Sequence, residues 1–198
     1  MKYKNAHSFF AILLAFVAAI ASCGCSFFAK DNPEDILATF KDGTVFCETY
    51  NNLCKDKDLK MVFTSELEIN SSYILQNFTS RNEICKVNMH KRLVPNGSAF
   101  VSVTSQELGP DSNSDLSKCA IILHSMFSGK RNYSARKKEF SAWMEKALEQ
   151  AICNVEYEEG ATFTYNHGEL EVMLYRGSDY TNIGFLFSVE QESPEVSE

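Results

Sequence analysis

SARKKEFSAWMEKALEQAIC, residues 134–153, is the stretch on which the fold turns. Phe140, Trp143, Met144, Ala147, Leu148 and Ala151 recur at i, i+3, i+4, i+7, i+8 and i+11, the stripe of a helix packed on a core. Ser134 stands where an N-cap is expected. Three short segments follow, Ala161–Tyr165, Leu170–Tyr175 and Ile183–Val189. Asn166-His167-Gly168 and Gly177-Ser178-Asp179 supply hairpin turns between them. A long amphipathic helix feeding a three-stranded meander predicts an α+β domain, an antiparallel sheet with helices packed on one face.

The segments upstream extend the same pattern. Asp115–Phe127 carries Leu116, Cys119, Ala120, Leu123 and Phe127 at helical spacing, although Ala120–Leu123 also suits a buried strand. Gly109–Ser114 before it is a turn-rich loop. Ala99–Thr104 alternates as a strand, with Ala99, Val101 and Val103 on one face; Leu59–Thr64 and Ile84–Met89 are two further strands. Asp31 or Asn32 before Pro33-Glu34-Asp35 opens a short helix with Ile36, Leu37 and Phe40 inward, and Gly43 is expected to end it. Residues 33–189 therefore form a single domain, and 190–198 an acidic disordered tail.

The other end of the chain is a leader. Lys2 and Lys4 precede the apolar run Phe9–Ile20, then small residues Ala21 and Ser22. A helix of about 12 residues spans roughly 18 Å, short of a ~30 Å hydrocarbon core, which favours a cleaved signal over a transmembrane anchor. Ile20-Ala21-Ser22-Cys23 resembles the lipobox of bacterial lipoproteins. The resemblance implies that residues 1–22 are removed, that Cys23 carries diacylglycerol and a further acyl group, and that 23–32 is a tether. Two or more acyl chains, at ~0.8 kcal/mol per buried methylene, hold a domain stably at a membrane. Gly24 after the cysteine is similar to the class sorted to the outer membrane. The alternative is ordinary signal cleavage, with Cys23 and Cys25 left as thiols.

Losing Lys2 and Lys4 takes the formal charge from −7 to about −9. Such acidity opposes nucleic acid, whose phosphates would repel it. Besides Cys23 the chain has Cys25, Cys47, Cys54, Cys85, Cys119 and Cys153. Sequence alone cannot choose among their pairings. The Glu-Thr-Tyr-Asn-Asn-Leu segment predicts a local Cys47–Cys54 disulfide with a turn at Asn51-Asn52; buried thiols are the alternative. Sequons at Asn70, Asn77, Asn96 and Asn132 read as incidental beside a bacterial-looking leader.

No Cys-x-x-Cys, Gly-rich phosphate loop, Gly-x-Ser-x-Gly elbow or His-Glu-x-x-His run occurs, so neither metal nor cofactor is expected. His90, His124 and His167 are scattered, and His167 beside Glu169 makes only a turn pair. Cys119 and His124, five apart on a helix, point about 140° away from one another. The local anomaly is Lys130, Arg131, Arg136, Lys137 and Lys138, with Tyr133 among them, a basic segment in an acidic chain. Positive charge in a helix's first turn opposes its dipole, which points to an anionic ligand or envelope partner. The expectation is a non-catalytic, lipid-anchored ligand- or partner-binding protein of the cell envelope. An envelope enzyme assembled by the fold, a structural envelope component and a secreted disulfide-containing glycoprotein are the alternatives.

Overall fold

The computed structural model describes residues 32–70, 73–92, 97–107, 110–129, 133–154, 156–165 and 168–189. Cys23, the leader, residues 23–31 of the tether and the acidic tail lie outside them. Helices α1 (Pro33–Thr39) and α2 (Gly43–Leu53) precede strands β1 (Met61–Asn70), β2 (Tyr73–Ser80), β3 (Cys85–Arg92) and β4 (Ser98–Ser105). Helices α3 (Asp115–Ser128) and α4 (Tyr133–Ile152) precede β5 (Tyr157–Tyr165), β6 (Gly168–Arg176) and β7 (Thr181–Ser188). The seven strands form one antiparallel sheet in the order β1-β2-β3-β4-β7-β6-β5. In each half a helical pair precedes a meander, and the last strands of the two meanders, β4 and β7, meet at the centre. This is the α+β architecture that the helix and meander pattern predicts.

Burial shows why the helices cover one face. On β3 Cys85, Val87 and Met89 are buried; on β4 Ala99, Val101 and Val103; on β7 Ile183, Phe185 and Phe187. Of their alternates, Lys86, Asn88, Phe100 and Asn182 are half-buried or exposed. Against the buried face α3 sets Leu116, Cys119, Ala120, Leu123 and Phe127, and α4 sets Phe140, Met144, Ala147, Leu148 and Ala151. Both expected stripes face the core. Ser114 caps α3 by accepting from the Ser117 amide, and Gly129, at φ 68°, closes it in the left-handed region where glycine carries no Cβ penalty.

Four local expectations are corrected. Gly43 opens α2 rather than ending α1, because Asp42 accepts from the Thr44 and Val45 amides as N-cap. Ser134 lies inside α4, which begins at Tyr133. β2 joins the sheet where no strand was expected; Gln76 and Ser80 occupy core-facing positions and blur its alternation. Cys47 and Cys54 are free thiols, and the segment between them is helix instead of a closed loop. Seven residues of helix separate their Cα atoms by about 10 Å, whereas a disulfide needs them within ~7 Å. No helix among the described residues is long and apolar enough to cross a membrane.

Candidate functional site

Where α2 begins, its first turn stands over the edge strand β1, and two local devices shape the gap. The first is a clamp. Asn51 donates from Nδ2 to the Met61 carbonyl (3.0 Å) and accepts from the Met61 amide at Oδ1 (2.8 Å), fixing α2 to the start of β1. The second is a bulge. Phe63 pairs with Phe78 and Ser65 with Asn77, so Thr64 is an extra residue, its Oγ1 donating to the Asn77 carbonyl (2.9 Å). A bulge re-aims the side chains that follow it. Phe63 and Glu66, three apart, both come to line the gap beside α2.

The result is a half-open cleft of about 490 Å³ lined by Asp42, Gly43, Thr44, Cys47, Phe63, Glu66 and Gln76, a size suited to a small molecule. Gln76, 6% exposed, forms its floor. Its Nε2 donates to Glu66 Oε2 (2.6 Å), while its Oε1 meets no donor among the described residues. Gly43 makes room for that amide: a Cβ there would stand 3.0 Å from Gln76 Oε1. Phe63, 48% exposed, meets Phe78 edge-on (5.6 Å, 65°) and presents an apolar wall.

Chemistry follows from the lining. Asp42 and Glu66 make the cleft acidic, and the Asp42 carboxylate already occupies the helix end that would otherwise attract an anion. Gln76 Oε1 is itself closed off beneath Gly43, so a ligand meets the carboxylates of Asp42 and Glu66 rather than that oxygen. A cationic donor suits this lining, with an apolar stem on Phe63. Burial pushes the Cys47 thiol up, keeping it neutral at the wall rather than nucleophilic.

The residues singled out by sequence are dispersed. Lys130 and Arg131 lie outside the described residues, as does His167. Tyr133 and Arg136 belong to the first turns of α4, where Lys137 is half-buried and Lys138 exposed. His90 lies on the outer face of the sheet, edge-on to Phe100 (5.0 Å, 73°), and burial lowers its pKa. His124 is fully buried on the helix side, stacked on Phe140 (4.3 Å, 7°), with Nε2 2.8 Å from the Tyr165 hydroxyl. The two histidines thus stand on opposite faces. Cys119 diverges from His124 towards Tyr50 and Cys85. Among the described residues no three His, Cys, Asp or Glu side chains gather as a metal site.

Comparison with protein-family models, curated proteins and solved structures finds no match to this chain. The cleft residues are therefore argued from geometry alone. They are not legible in the sequence because the bulge breaks the two-residue period and a glutamine stands at the core-facing position 76. The signal that was present is Asp42-Gly43-Thr44, an N-cap followed by a residue without a side chain.

Proposed function

We propose that this protein is a lipid-anchored, non-catalytic binding module of the cell envelope, held through Cys23, whose α2–β1 cleft takes a small cationic amine with an apolar stem. The observation that carries the ligand assignment is the acidic lining, Asp42 and Glu66, beside the half-exposed Phe63 ring in one cleft. An ammonium group donates to Asp42 and Glu66, and its methylenes lie on the Phe63 ring, which also favours a nearby cation. The anchor rests on the lipobox resemblance. Intact mass of protein extracted from its native membrane tests it: a chain beginning at Cys23 with diacylglycerol and acyl mass supports the anchor, and an unlipidated chain removes it.

Glu66→Gln tests the cleft, with cadaverine as probe in isothermal titration calorimetry. The substitution keeps length, keeps an acceptor for Gln76 Nε2 and removes the charge. Affinity should fall about 10- to 100-fold, the worth of a hydrogen bond between charged groups. Unfolding free energy should change by less than about 0.5 kcal/mol, because Glu66 is exposed. Unchanged affinity, or no binding by the unaltered protein at millimolar cadaverine, refutes the reading.

A second reading concerns the basic segment at Lys130, Arg131, Tyr133, Arg136, Lys137 and Lys138. Its charge suits an anionic partner such as a phosphate-bearing headgroup, and it would act separately from the acidic cleft. Arg136→Glu with Lys137→Glu should leave the circular dichroism spectrum intact and weaken sedimentation with phosphatidylglycerol vesicles. Equal sedimentation of the folded variant would discard this partner.

A further inference from the structure

We propose that Cys85 and Cys119 are a disulfide pair, oxidised as the chain folds, which staples β3 to α3 in the mature protein. The fold brings the two thiols together from both sides. Asn82 in the β2–β3 turn donates from Nδ2 to Asp115 Oδ2 (2.8 Å) in the first turn of α3. Cys85 follows Asn82 by three residues, and Cys119 lies one helical turn beyond Asp115. The Cys85 amide is held by Ser80 Oγ (3.0 Å), which itself donates to the Cys85 carbonyl (3.2 Å), so the strand end is fixed. α3 packs directly on β3, and both cysteines are fully buried free thiols that lie against each other.

Two more groups complete the cluster. The buried Tyr50 hydroxyl makes no hydrogen bond among the described residues and stands beside the Cys119 sulfur. Cys54 gives its thiol proton to the Asp56 carbonyl (3.1 Å), which directs it away from the pair. The neighbouring Cys85, first, and then Tyr50 hold the Cys119 thiol below its ordinary range despite its burial. Cys85 is pushed up by its contact with Cys119 and then by burial.

The pair closes by thiol–disulfide exchange with an external disulfide, that of glutathione or of a protein oxidant. One of the two cysteine thiolates attacks a sulfur of the oxidant, breaking its S–S bond and expelling one thiolate, which takes up a proton. The other cysteine, giving its proton to solvent, then attacks the protein sulfur of the mixed disulfide and expels the second thiol. The protein loses two S–H bonds and gains one S–S bond, and the oxidant is reduced to two thiols. Full burial places these steps before α3 seats on the sheet, and shields the finished bond from reductants afterwards.

Refolding the full chain from its reduced, denatured state in a mixture of reduced and oxidised glutathione tests this. Free thiols are alkylated, and the folded fraction is digested without reduction. The expected result is a peptide around Cys85 linked to one around Cys119, with Cys47 and Cys54 alkylated. The oxidised protein should melt roughly 5–15 °C above the reduced one. A Cys85→Ala plus Cys119→Ala double variant should lose that dependence on redox conditions. Alkylation of both Cys85 and Cys119 in the folded fraction, or a link from Cys119 to Cys54, overturns the proposal. Neither outcome bears on amine binding in the cleft.

Discussion

Phe127→Ala is expected to lower the unfolding free energy by about 4 kcal/mol, the upper part of the range for truncating a buried aromatic ring. Phe127 sits in the last turn of α3 with no exposed surface. Its ring stacks on Phe40 at 3.8 Å and 4°, and stands 5.9 Å from both Phe185 and Phe187. One side chain thus joins the helix pair of the first half to the central strand of the second. Phe40 follows a short helix that has few other anchors, so truncation leaves a cavity and also frees α1. Phe63→Ala, at a half-exposed ring, should cost no more than about 1 kcal/mol. Urea unfolding of the two variants checks the contrast. A loss below about 1.5 kcal/mol at Phe127 would mean that α1 and α3 are not packed through this stack.

Gly168→Ala should cost about 2–3 kcal/mol, at the upper end for overpacking a closed site. A Cβ there would stand 2.4 Å from the Ser188 carbonyl oxygen and 3.0 Å from the Phe187 ring. The oxygen belongs to the backbone of β7, which is paired on both sides and cannot step back without opening the sheet. Gly160 on the edge strand β5 is the matched control. Its Cβ would meet nothing nearer than 3.6 Å, so Gly160→Ala should stabilise by about 0.5–1 kcal/mol through backbone entropy. Opposite signs are expected in thermal unfolding. The same sign at both sites would contradict the β6–β7 pairing described here.

The parts of the fold legible in the sequence are those where one physical rule acts alone. The Phe140-to-Ala151 stripe and the Leu116-to-Phe127 stripe face the core in uninterrupted helical register, and both helices form there. The β5–β7 meander likewise follows from alternation bounded by turn residues. Reading failed where a tertiary contact overrode the local signal. Asn51 has the chemistry of a turn residue, yet its amide is committed to Met61 across the gap, which keeps α2 helical through Asn51-Asn52. The local spacing of Cys47 and Cys54 suits a closed loop only where that helix is absent. The cleft was illegible for a related reason. Its geometry depends on one extra residue, Thr64, and on Gly43 leaving space for Gln76, neither of which shows in periodicity.

Nitrogen-15 correlation spectroscopy of the labelled protein during titration with cadaverine tests the binding assignment most directly. The account predicts that the largest shifts fall on the Gln76 side-chain amide and on Gly43, Thr44 and Phe63, saturating together. An absence of shifts, or shifts confined to residues outside the α2–β1 cleft, would contradict it.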